Sequence, residues 1–140
     1  MSRPFRLAGL LRVRGLQERA AAEHLSRASL EHTRTQARER ELRTALSNST
    51  DAAMDVRTLA ALAAGRVASR GLLADLTALG ELQHATVQEA RARHAATRVD
   101  ERGLALLADA HAERERAREL QLEQAELDEI AVRPPAQEAP

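Results

Sequence analysis

Residues 4–46 read PFRLAGLLRVRGLQERAAAEHLSRASLEHTRTQARERELRTAL, and the fold turns on them. Between Leu16 and Ala64 the chain has neither Gly nor Pro, the two residues that most weaken a helix interior. Ala, Leu, Arg, Glu and Gln fill the stretch, and all are strong helix formers. Apolar or small residues recur in alternating steps of four and three: Leu7 and Leu11, then Ala21, Leu25 and Ala28, then Leu42 and Leu46. Arg14, Glu18, His32, Thr35 and Glu39 interrupt this seam, which repeats near every 3.5 residues, the coiled-coil period. A helix of about 43 residues is ~65 Å long and cannot bury such a stripe on itself, so it requires a partner helix.

Composition agrees with long helices rather than a globular core. The 140 residues include 30 Ala and 21 Leu but one aromatic, Phe5, with no Trp or Tyr. Large aromatics normally supply much of a compact core, whereas Ala, Leu, Arg and Glu at this density mark a coiled coil. No segment alternates in the β manner. Cysteine is absent, which excludes disulfides and thiol catalysis. All 21 basic residues are Arg, a bias that a GC-rich genome explains without any functional reading.

The net charge is zero but unevenly placed. Residues 1–43 carry ten Arg against five acids, and residues 91–140 carry eight against eleven. The basic start and acidic end neutralise each other in an antiparallel arrangement. A nucleic-acid binder is expected to be net basic with aromatics for stacking, and neither property is present. Arginines interrupt the apolar residues near the N-terminus, so no signal-peptide core is read there, and no stretch nears the ~20 apolar residues of a membrane span. The expectation is a soluble, unprocessed chain.

Along the chain, Pro4 suits the first turn of a helix that runs to about Leu46. Ser47 to Asp51 offers five turn- and cap-forming residues in a row, with Ser49 or Thr50 able to start a new helix. Ala52 to Ala64 reads as a short apolar helix, and Gly65 and Gly71 mark a possible bend. A second arm is expected over 72–131, through Leu72, Leu76, Leu79, Val87, Ala90, Leu104, Leu107, Ala108, Leu120, Leu127 and Ile130. Gly80 and Gly103 are candidate points of bending or close helix approach. Arg133-Pro134-Pro135 ends the helix, and 134–140 is expected to be a disordered tail. The predicted fold is therefore all-α: an elongated antiparallel two-helix coiled-coil hairpin, with a short helical or irregular segment near an apex somewhere in 47–71. Residues near 10 are expected opposite 120–125. A parallel dimer of one continuous helix is the alternative.

The two ends carry a resemblance. Phe5-Arg6-Leu7-x-x-Leu10-Leu11-x-Val13-Arg14, followed by Glu18-x-x-x-Ala22 and Leu25-x-x-Ala28, resembles the start of the flagellar FliJ family. Glu123-Gln124-Ala125-Glu126-Leu127-Asp128-Glu129-Ile130-Ala131 is similar to that family's closing segment. The resemblance implies a cytoplasmic, non-enzymatic component of the flagellar type III export apparatus, peripheral at the membrane, and an antiparallel coiled coil like the stalk of rotary ATPases. It further implies three kinds of partner: a hexameric export ATPase (FliI-like) at the paired coil ends, an export gate protein (FlhA-like) at a mid-chain surface, and export chaperones. On that basis the candidate ATPase-contacting residues are Phe5, Arg6, Leu7, Leu10, Leu11, Arg14, Leu127 and Ile130. The candidate gate-contacting patch is Leu72, Leu76 and Leu79, which share one helical face at i, i+4 and i+7. A scaffold or central-stalk-like subunit of another ATPase or secretion system is the alternative function.

No catalytic set is legible. Gly-rich phosphate loops and Ser-His-Asp sets are missing. Glu81-Leu82-Gln83-His84 is half of a di-iron motif, but a complete site needs a second such pair, and none exists. His24, His32, His94 and His111 read as seam-edge or exposed residues. No cofactor, metal or nucleic acid is expected.

Overall fold

The computed structural model describes residues 2–48 and 55–134, and the chain forms two α-helices, α1 (Ala8–Ser47) and α2 (Val56–Val132). Among the described residues there is no strand. Pro4 precedes α1, whose start is drawn in by backbone bonds from Ala8 N–H to Phe5 C=O (3.1 Å) and Leu11 N–H to Leu7 C=O (2.9 Å). Glu23–Arg27 on its outer surface and Glu39–Arg43 at the edge of the seam pair at i,i+4 (2.6 and 2.7 Å), each contributing about 0.3–0.5 kcal/mol.

α2 differs from expectation. It starts at Val56 rather than at Leu72 and passes through Gly65 and Gly71 without a break. The connection from α1 is thus confined to 48–55. Ser49 and Thr50, the expected caps, lie outside the described residues, as does the expected tail from 135 onward. Asp55 caps α2 instead: its Oδ1 accepts from the Thr58 backbone N–H (2.8 Å) and hydroxyl (2.6 Å). Each Gly costs only about 1 kcal/mol in a helix interior, and the strong formers around them outweigh that. A Cβ at Gly65, Gly71 or Gly103 would meet nothing within 4 Å, so none of the three is a close-approach point. Gly80 is one: it is buried, and a Cβ there would meet Thr35 Cγ2 at 4.0 Å. Gly15, also buried and 3.5 Å from Glu101 Oε1 by the same measure, is a second that the sequence reading did not single out.

The chain divides into two compact units, 18–97 and a second made of 1–17 with 98–140. In the first, α1 and α2 lie antiparallel. Glu18 Oε1 is 2.8 Å from His94 Nε2, the His32 and His84 rings are 5.6 Å apart, and the Thr77 hydroxyl donates to Glu39 (3.0 Å). As α1 numbers rise, their α2 partners fall. From Leu11 to Leu46, α1 positions taken in alternating steps of three and four are buried or half-buried, polar members included. α2 matches them with the same alternation through Leu73, Leu76, Gly80, Gln83, Val87, Ala90 and His94. The most buried side chains are small: Ala21, Ala28, Thr35, Val87 and Ala90.

The second unit is also antiparallel. Arg14 Nη1 lies 3.5 Å from Asp100 Oδ2, the Phe5 and His111 rings are 5.5 Å apart, and the Arg3 backbone N–H donates to Glu115 (3.0 Å). Residue 10 therefore sits against α2 between Asp100 and His111, not opposite 120–125. The cause is the early start of α2, which moves every pairing toward lower α2 numbers. From Leu120 to Val132, α2 continues as an exposed helix with no α1 segment beside it.

Candidate protein-docking surfaces

The N-terminal segment folds onto α2 through two contacts. Phe5 packs half-buried against His111, and the Arg3 backbone N–H binds the Glu115 carboxylate. That hydrogen bond is the main reason the Glu115 carboxyl titrates below its ordinary value of 4.5. A lowered folded-state pKa means the carboxylate's contribution is complete above the ordinary range and disappears as pH falls through the folded value. On acidification below about pH 4.5, the N-terminal segment should loosen from α2 before the helices melt. The Arg3 amide and Phe5 ring resonances, followed by NMR from neutral pH downward, check this. Glu115→Gln should show the loosened shifts already at neutral pH.

These contacts leave an open cleft of about 880 Å³. Pro4, Phe5 and Leu7 give it an apolar wall, and Arg3, Arg6, Arg114 and Arg118 surround it against one carboxylate, Glu115. Such a surface suits an acidic, partly apolar protein segment.

Of the residues expected at the coil ends, the structure gathers Phe5, Arg6 and Leu7 around this cleft. Leu10 is exposed nearby. Leu11 and Arg14 belong to the seam, and the Arg14 guanidinium donates to Gln17 Oε1 (3.0 Å). Leu127 and Ile130 are not brought to this group. Leu127 lies sixteen residues beyond His111 on the same helix, or ~24 Å along its axis.

In the unit 18–97, Leu76 is half-buried in the seam, while Leu72 and Leu79 flank it, 52% and 43% exposed. They belong to a wider surface. Between residues 58 and 80 the only charged side chains are Arg66, Arg70 and Asp75. A helix apolar all round is normally buried all round. Here α1 covers one face, and Val56, Val67 and Leu82 on α2 remain more than two-thirds exposed. Beside the start of α2, Leu42, Leu46, Ala61 and Leu62 line a further open groove of about 430 Å³. Sequence reasoning singled out the three leucines and, separately, the apolar stretch 52–64, but did not join them into one surface, although the near-absence of charge was the available signal.

His84 faces His32 rather than completing a carboxylate–histidine set, and His94 pairs with Glu18. No group of three or more His, Cys, Asp or Glu could hold a metal among the described residues. No described helix is long and apolar enough to cross a membrane.

Compared with known families, residues 2–139 match the model described as Flagellar FliJ protein. No curated protein and no solved structure matches the chain significantly. The family match spans both helices. The chain belongs to the flagellar FliJ family, non-enzymatic coiled-coil proteins of the flagellar export apparatus.

Proposed function

We propose that this protein couples the hexameric export ATPase to the export gate and assists export chaperones, working at the cytoplasmic face of the membrane as a peripheral component. In this reading the ATPase engages the coil end, through Phe5, Arg6, Leu7, Leu10, Leu11 and Arg14, with Leu127 and Ile130 as a separate second contact on α2. The gate protein engages Leu72, Leu76 and Leu79. The observation that carries the reading is the start of α2, which is apolar on all sides but covered by α1 on one. On a protein in water, an apolar face of that extent commonly marks a binding surface. A partner that lays a helix or a groove against it would bury the flanking leucines.

The experiment is the double substitution Leu72→Ala with Leu76→Ala, followed by thermal melting and a pull-down with the gate protein. The expected result is association weakened by about tenfold or more, since each truncation removes buried apolar area at the contact. Melting should fall by only a few degrees, because Leu72 is half exposed and Leu76 only partly buried. A large loss of melting temperature with undiminished binding would assign these leucines to the helix pair and remove them from the gate contact.

A further inference from the structure

Beyond Glu119, α2 is a bare helix. Leu120, Leu122, Leu127, Ile130 and Val132 are each at least 60% exposed. Exposed aliphatic side chains gathered on one segment call for a cover. The charges around them specify its chemistry. Residues 119–132 hold Glu119, Glu123, Glu126, Asp128 and Glu129 and no basic residue. A matching surface must be apolar and basic.

The chain itself carries one. Residues 3–14 hold Arg3, Arg6 and Arg12 beside the seam residue Arg14 and no acid, and Leu7, Leu10 and Val13 there are at least 40% exposed. Within one molecule this surface cannot reach the overhang. It is tied to α2 between Asp100 and Glu115, and α2 is one continuous helix that does not turn back. The two segments are also of similar extent, twelve residues in 3–14 and fourteen in 119–132.

We propose that a second copy of this chain is the occupant: the basic apolar face of residues 3–14 of each copy covers the acidic apolar overhang of the other. The arrangement is reciprocal, as a two-fold interface requires. Direct pairing of the two overhangs is disfavoured, because it would set five carboxylates against five. The dimer is independent of the export reading, although it covers residues assigned there to the ATPase, so the two complexes would exclude each other.

Sedimentation velocity on the purified full chain, without any other protein, tests this. The expected result is a monomer–dimer equilibrium that weakens about tenfold or more as salt is raised, since rim charges are screened. Arg6→Glu with Arg12→Glu should abolish self-association, as should Glu123→Arg with Glu126→Arg. Mixing those two variants should restore a heterodimer, because both of its contacts then join opposite charges. Circular dichroism should show unchanged helicity in each variant, separating lost association from lost folding. A chain that stays monomeric at its highest soluble concentration overturns the proposal and assigns the overhang to a basic amphipathic helix of another protein. A dimer indifferent to the charge swaps also overturns it.

Discussion

Val87→Asp should unfold this protein or come close to it. Val87 is 4% exposed and lies in the α2 half of the seam, between Gln83 and Ala90. A carboxylate placed there is desolvated, at a cost of about 3 kcal/mol or more. Two paired helices have little interior, so that loss is a large share of a total that for ordinary domains is only ~5–15 kcal/mol. Val87→Ala serves as the comparison, removing two carbons' worth of burial at about 1–2 kcal/mol. The Asp penalty should also depend on pH with a definite sign. Burial raises the folded-state pKa of the introduced carboxyl, so the penalty is complete above that value and shrinks as pH falls and the group becomes neutral. Thermal melting by circular dichroism, at neutral and mildly acidic pH, reads both effects. A variant that melts like the parent protein would show that the seam does not pass through position 87.

Phe5→Ala should produce the opposite pattern, with a large loss of binding and a small loss of stability. Phe5 is the only aromatic residue in the chain and precedes α1, so its removal breaks no helix hydrogen bond. It stands half-buried at the wall of the cationic cleft, against His111. Aromatic side chains in such positions are frequent interface hot spots, worth about 2 kcal/mol or more, or roughly thirtyfold in affinity. If the export ATPase docks at this cleft, titration of the purified ATPase should show that loss, while helicity stays constant and melting shifts slightly. Unchanged affinity would remove the cleft from the ATPase contact. Lost affinity accompanied by a large fall in melting would assign Phe5 a structural role.

Much of the fold was legible in the sequence, for physical reasons that can be named. The α1 seam could be followed even through Arg14, Glu18, His32, Thr35 and Glu39, because its alternating steps of three and four persist when the residue type changes. Antiparallel pairing was legible in two long arms poor in helix breakers, separated by the turn-forming stretch Ser47 to Asp51. What could not be read was where the second helix starts. Gly65 and Gly71 look like a bend, yet a glycine costs a helix little when its neighbours are strong formers and one face is already packed. The register depended on that start, so it was misplaced in turn, and the overhang beyond Glu119 was taken for part of the pair. Gly15 was overlooked because nothing local distinguishes a glycine that permits a close contact from one that is merely tolerated. The candidate surfaces were partly legible: Phe5, Arg6 and Leu7 do meet, but Leu127 and Ile130 lie elsewhere, as the misplaced register predicts.

The small residues buried along the helix pair have a mechanical consequence. Ala21, Ala28, Ala90, Gly15 and Gly80 present nearly smooth stretches between the larger seam side chains, among them Leu25, Leu42, Leu73, Leu76 and Val87. Sliding along such a contact meets low friction, since a shift trades one shallow apolar contact for another of similar depth. Resistance comes from the larger seam side chains and from the directional pairs set between the alanines: Glu18 with His94, Glu39 with Thr77, Arg14 with Asp100. These act as detents on an otherwise sliding bearing, each modest in energy but satisfied at one position only.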